Sequence, residues 1–152
     1  MRTTLLIVHH SHGWRTTRMA QAIAAAALRT AAVEVVSKNA NEANLDDLLA
    51  ADAYLFGTPE TFGSMAGLLK DFFERTYYPA QGLLLGRPYA IFVCAGNDGQ
   101  GAIRSIQSIA RGYGWKEVQA PLLVRSDQVD ARLQDCEELG TTMALALSMG
   151  LY

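Results

Sequence analysis

Short apolar runs alternate with stretches of helical periodicity from one end of the chain to the other. Thr4 to Val8 reads as a buried strand, and Thr16 to Leu28 then sets Met19, Ala20, Ile23 and Ala27 on one helical face. Val33 to Ser37 is a second, β-branched strand. Asn44 is placed to cap a short helix, Leu45 to Ala51, with Asp46 and Asp47 in the first turn, where the helix dipole favours them. Ala53 to Phe56 is a third strand. Met65, Leu68, Leu69, Phe72 and Phe73 then fall at the i, i+3, i+4, i+7, i+8 spacing of an amphipathic helix. A connector punctuated by Pro79, Gly82, Gly86 and Pro88 leads to a fourth strand, Tyr89 to Val93. Ile103, Ile106, Ala110 and Tyr113 mark the next helix, closed by Gly112 and Gly114. Leu122 to Val124 is a fifth strand, with Glu117-Val118 an offset leading piece. A last helix opens at Ser126 or Asp127 and runs through Leu133, Cys136, Leu139, Met143 and Leu147. Gly140 inside it costs about 1 kcal/mol relative to alanine.

Five apolar strands separated by helices predict an α/β fold, a parallel sheet covered by helices on both faces. Right-handed crossovers leave few topologies, and five strands favour the doubly wound order 2-1-3-4-5. Residues 1–152 are expected to form one such domain. A sheet of this kind binds ligands beyond the carboxyl ends of its strands. Three loops lie there: Ser11 to Thr17, Gly57 to Met65 and Cys94 to Gly101.

Composition narrows the class. A formal net charge of -2 gives neither a nucleic-acid footprint nor a polybasic membrane patch. No apolar run approaches the roughly 18 residues of a membrane span. Residues 1 to 10 lack the length and the cleavage site of a signal peptide. Two cysteines, Cys94 and Cys136, do not make a disulfide framework, so a reducing cytoplasm is expected.

The first loop joins a strand to a helix, so backbone N–H groups and the helix dipole face whatever binds there, which suits an anion. Ser11, Thr16 and Thr17 add hydroxyls and Arg15 a charge able to pair with a phosphate; Ser and Thr as mere helix caps are the alternative. It is no P-loop, because no Gly-Lys-Ser/Thr follows. The second loop offers backbone amides edge-on to a planar ring, with Phe62 as flanking aromatic and Gly57 and Gly63 permitting close approach; otherwise it is a Pro-Glu turn with Phe62 in the core. The third, with Gly96, Gly99 and Gly101, leaves room for a flat ligand or is simply a good turn.

These residues bring a family into view. Gly57 to Met65 followed by Lys70-Asp71-Phe72 resembles the "GTP-x-x-F-G-x-M…K-x-F" ring-binding loop of the flavodoxin-like flavoproteins, on the side of the quinone reductases and NADPH-dependent FMN reductases. Ser11 to Thr16 sits where their phosphate loop sits, and Ala95-Gly96 resembles their third flavin loop. The likeness covers nearly the whole chain and implies noncovalent FMN. Its phosphate would lie on Ser11, Gly13, Arg15 and Thr16, with His12 and Trp14 also among the cofactor-binding residues, and its ring between Pro59, Glu60, Thr61, Phe62, Gly63 on one side and Ala95, Gly96, Asn97, Asp98 on the other. The resemblance further implies electron transfer or NAD(P)H-dependent oxidoreduction. The donor would be NAD(P)H or a protein reductase, the acceptor a small molecule or a protein, and the chain a homo-oligomer, at which the Tyr77-Tyr78-Pro79 connector hints. No acid–base side chain is required, so none is named as catalytic.

The phosphate loop departs from the family pattern, Ser/Thr-x-Thr/Ser-Gly-x-Thr: Gly13 takes the second hydroxyl position and Trp14 replaces the glycine. That departure leaves an alternative, a flavodoxin-fold binding or regulatory module with weak or lost FMN binding. His9, His10 and His12 form no metal site by spacing, because strand neighbours point to opposite faces and no Cys, Asp or Glu completes a set. Cys94 stands at a strand end beside the proposed ring, as a redox-sensitive or a buried inert thiol. A Gly-x-Ser-x-Gly elbow is missing, which argues against a hydrolase. A response-regulator receiver would need acidic residues where His9-His10 stand.

Overall fold

In a computed structural model, which describes residues 2–152, six strands and five α-helices alternate along the chain. The strands are β1 (Thr4–His9), β2 (Glu34–Asn39), β3 (Ala53–Pro59), β4 (Pro88–Ala95), β5 (Lys116–Glu117) and β6 (Leu122–Arg125). The helices are α1 (Arg15–Arg29), α2 (Leu45–Ala50), α3 (Gly67–Ala80), α4 (Gln100–Tyr113) and α5 (Leu133–Ser148). Every pairing is parallel, in the order β2-β1-β3-β4-β5, and β6 pairs with β4 as well. The predicted order therefore holds. The predicted fifth strand and its offset leading piece are two short strands on one neighbour: β5 lies against Pro88 and Tyr89, and β6 against Phe92 to Ala95.

The sheet separates two cores. On one face Leu6, Val8, Tyr54, Phe56, Ile91 and Val93 pack under α2, α3 and α4 with Phe73, Tyr113 and Trp115. On the other, Leu5, Ile7, Leu55 and Phe92 pack under α1 and α5. Residues buried on both faces explain why the strands read as continuous apolar runs. α1 and α5 touch closely: a Cβ on Gly140 would stand 2.2 Å from the carbonyl oxygen of Ile23. The mid-helix glycine thus sets the separation of these two helices. Asn44 caps α2 as predicted, its side chain accepting from the Asp47 amide (3.1 Å) while Asp47 accepts from the Asn44 amide (2.9 Å).

Several predicted boundaries move. Pairing with β4 carries β3 on through Gly57, Thr58 and Pro59, and pairing with β6 carries β4 on to Ala95. The second and third loops consequently begin at Glu60 and Gly96. Tyr77, Tyr78 and Pro79 belong to the last turn of α3, not to a connector. Met65 precedes α3, and Leu68 lies 42% exposed, off its buried face. Two single 3₁₀ turns, at Ser126–Gln128 and Asp130–Arg132, delay the final helix to Leu133.

Candidate functional site

β1 ends at His9 and α1 starts at Arg15, so five residues turn the chain at the carboxyl edge of the sheet. The cap position is Trp14, whose side chain makes no capping bond. The amides of the first turn of α1 are therefore left without a side-chain partner. They border a cavity of about 180 Å³ lined by Ser11 to Thr16, Pro59, Cys94 and Ser126. Strand register explains the convergence: Pro59 pairs with Cys94, Cys94 with Val124, and Ser126 follows two residues later. Arg15 spans from this loop to the far wall, donating from Nε to the Ser126 carbonyl (2.8 Å) with its guanidinium over the Trp14 ring at 5.0 Å. The Ser11 hydroxyl donates to the Gly13 carbonyl (3.1 Å), while Thr16 is buried.

Trp14 does not block this loop. Its φ of -116° is open to any residue, and the indole lies 49% exposed as a wall of the cavity. Nothing surrounds Gly13 within 4 Å, so the missing hydroxyl leaves space rather than a steric conflict.

The second loop forms a two-residue turn. Thr61 and Ser64 exchange backbone bonds of 2.8 and 3.0 Å around Phe62 (φ 50°) and Gly63 (φ 72°), a type I′ geometry. Phe62 is entirely exposed, so its alternative placement in the core is wrong. A left-handed aromatic costs roughly 1–2 kcal/mol. Behind the turn, Ala66 donates its amide to buried Thr58 Oγ1 (2.9 Å) and Met65 donates to Ser105 Oγ (3.0 Å). The turn leans on α4 so closely that a Cβ on Gly101 would meet the Gly63 carbonyl oxygen at 1.9 Å. Gly57 keeps space for the Phe92 ring, 2.0 Å from a built Cβ, and not for a ligand.

Contacts link the first loop to the second. His12 Nε2 lies 3.1 Å from Thr61 Oγ1, and its Nδ1 lies 3.4 Å from His10 Nε2. Burial, followed by the neighbouring His12, lowers the pKa of His10; burial, followed by His10, lowers that of His9, which Glu42 opposes. In the third loop Ala95 is buried in β4, and Asp98 accepts from the Gln100 amide (3.0 Å) at the start of α4. Gly96, Asn97 and Asp98 are exposed. Of the residues expected from the sequence, Ser11 to Thr16 and Pro59 share the cavity. Glu60 to Gly63 and Ala95 to Asp98 lie outside it, beside it on the same sheet edge. Cys94 and Ser126 line it too, and sequence reasoning did not place them there. Cys94 is buried, its thiol 3.6 Å from Ser126 Oγ.

Comparison with known proteins decides the family. The model of the NADPH-dependent FMN reductases matches residues 18–128. The chain belongs to that family. An NAD(P)H dehydrogenase (quinone) of Syntrophus aciditrophicus is 25% identical over 166 residues, covering 91% of this chain and 82% of that protein. A flavodoxin of Aquifex aeolicus is 27% identical over 114 residues, 73% of this chain and 62% of the relative. In fold, the chain is similar to a flavodoxin from the domain Archaea, with a TM-score of 0.80 at 24% identity over 93% of this chain and 96% of that one. The family makes the protein an FMN-binding, flavodoxin-like oxidoreductase or electron-transfer protein. The residues present fit the cofactor's phosphate. Among the described residues the cavity carries free helix amides, hydroxyls, a histidine and an arginine, and no carboxylate lines it. Among the described residues no helix is long and apolar enough to cross a membrane.

Proposed function

We propose that the protein is an NAD(P)H-dependent FMN oxidoreductase whose cofactor phosphate rests on the open N-terminus of α1. The observation that supports this most is the uncapped first turn of α1 facing a cavity with Arg15 and without a carboxylate. Ser11, His12, Gly13, Trp14, Arg15 and Thr16 would surround the phosphate, with Cys94 and Ser126 as the far wall. The ring would then lie across the exposed edge between Pro59, Glu60, Thr61, Phe62 and Gly63 and the segment Ala95, Gly96, Asn97, Asp98. A cavity of about 180 Å³ holds a phosphate and part of a chain, not a tricyclic ring, so the ring stays open to a nicotinamide. Bound FMN supplies hydride and electron transfer, while the chain binds and orients it.

NAD(P)H as donor and a small oxidised acceptor such as a quinone suit that openness. A net charge of -2 gives little of the acidic field that steers a dedicated carrier to a protein reductase. We place the protein in the cytoplasm, where Cys94 and Cys136 stay free thiols. A homo-oligomer belongs to the same reading: Tyr78, Leu83 and Leu85 are 77, 61 and 69% exposed near a groove of about 440 Å³ between α3 and α4.

Purification followed by flavin titration tests the proposal. The protein should carry, or take up, FMN and quench its fluorescence, and should then oxidise NAD(P)H. Ser11→Glu places a carboxylate at the cavity and should weaken FMN at least tenfold while sparing riboflavin, which has no phosphate. Unchanged FMN affinity in that variant would remove the phosphate from this cavity.

A further inference from the structure

His12 sits between two groups that can each accept a hydrogen bond: His10 Nε2 at 3.4 Å and Thr61 Oγ1 at 3.1 Å. A neutral imidazole uses one ring nitrogen as donor and the other as acceptor, whereas the imidazolium donates from both. Because the hydroxyl of Thr61 and a neutral His10 both accept, His12 gains a proton without losing either contact. Burial and the proximity of His12 hold His10 toward its neutral form, which suits it to that acceptor role. His12 also lines the cavity at the α1 N-terminus.

We infer that His12 is a second, titratable cation of this cavity, cradled by His10 and Thr61, and that it makes the affinity for a phosphate-bearing flavin fall as pH rises. The inference rests on the placement of the FMN phosphate proposed above. Both ring nitrogens being occupied, His12 acts on the phosphate by its charge rather than as a direct donor. The groups around it are few. His10 faces it from the end of β1, Thr61 with neighbouring Glu60 from the turn after β3, Arg15 from α1, and Cys94 and Ser126 from across the cavity. Arg15 keeps its charge throughout, whereas an imidazole is the side chain type that gains a proton in weakly acidic solution. Asp127 is engaged with Arg125 (3.5 Å) and Asp130 with Arg18 (3.3 Å), which leaves Glu60 as the neighbouring acid without an ion pair among the described residues.

Titration of the flavin-free protein with FMN and with riboflavin, at pH 6.0 and 8.5, tests this on the wild type, His12→Gln and His12→Lys. The phosphate of FMN itself ionises near pH 6, so the wild-type to His12→Gln affinity ratio is the readout, in which that ionisation cancels. A ratio of about tenfold at pH 6.0 shrinking toward unity at pH 8.5 is expected. His12→Lys should keep the tighter FMN binding at pH 8.5, and riboflavin should not distinguish the three proteins at either pH. An FMN ratio independent of pH, or a riboflavin effect as large as the FMN effect, overturns the inference while leaving the site's assignment intact. Failure of the wild type to bind FMN at either pH overturns the assignment, and the inference with it.

Discussion

Gly101→Ala is the most direct probe of how the fold shapes the proposed flavin edge. A Cβ at residue 101 would lie 1.9 Å from the Gly63 oxygen, 2.7 Å from its carbonyl carbon and 3.2 Å from its Cα, all of them backbone atoms. Ordinary contact requires the two segments to separate by about 1 Å or more. α4 cannot retreat, because Ala102, Ile103 and Ile106 are buried in the core behind it. The turn can, since Phe62 and Gly63 are exposed. Its displacement stretches the Met65–Ser105 hydrogen bond, a cost of about 1 kcal/mol. Alanine in the first turn of the helix returns up to about 1 kcal/mol. Global stability should therefore change by no more than about 1 kcal/mol, readable in urea denaturation. Donors displaced by about 1 Å lose most of their bond energy, so flavin affinity should fall by an order of magnitude. Because the defect lies beside the proposed position of the ring, riboflavin and FMN should weaken equally in fluorescence titrations. Undiminished binding of both would refute the role given to the turn, and a loss confined to FMN would place the disturbance at the phosphate.

Other perturbations separate fold from site. Gly140→Ala sets a methyl against the Ile23 carbonyl and should destabilise by about 1–2 kcal/mol after its helix-propensity gain; a stabilised variant in thermal unfolding would contradict the packing of α1 on α5. Phe62→Gly relieves the left-handed strain at φ 50° without losing packing. It should raise stability by about 0.5 kcal/mol and lower flavin affinity if Phe62 flanks the ring. Burial pushes both Tyr89 and Tyr113 up to about 12. Each is bound to its proton more tightly when folded than unfolded, so the contribution is full below pH 10 and is lost as pH rises toward 12. Denaturation between pH 9 and 11.5 should show stability falling above pH 10, by up to about 1.4 kcal/mol per pH unit for each tyrosine, with Tyr89→Phe removing one share.

Local signals made the fold legible. The 3.6-residue spacing of Met19, Ile23 and Ala27, the doubly buried β-branched runs and the Asn44 cap each depend on residues within a turn or two of one another. The three loops followed, because parallel order alone sends their strand ends to one edge. What stayed hidden depends on distant partners. β3 continues to Pro59 only because β4 offers Val93 and Cys94 beside Thr58 and Pro59, and nothing near Pro59 in the chain announces it. Cys94 and Ser126 enter the cavity by the same register. Gly101 and Gly140 look like poor helix residues until Gly63 and Ile23 are seen against them. Leu68 fits the helical stripe yet is largely exposed, because the face that α3 buries runs through Leu69, Phe72, Phe73 and Thr76 and leaves it at the edge.

The two tryptophans divide the molecule into separate optical reporters. Trp115 is buried against Tyr113, ring centroids 4.1 Å apart, on the α3–α4 side of the sheet. Trp14 is half in water and forms part of the cavity wall under Arg15. Emission from an apolar and from an aqueous indole differs in colour, so unlabelled protein emits in two channels. Quenching by an occupant of the cavity falls first on the red-shifted one, and loss of the core appears in the blue. Occupancy and unfolding are thus readable in one spectrum, and Trp14→Phe leaves the second signal alone.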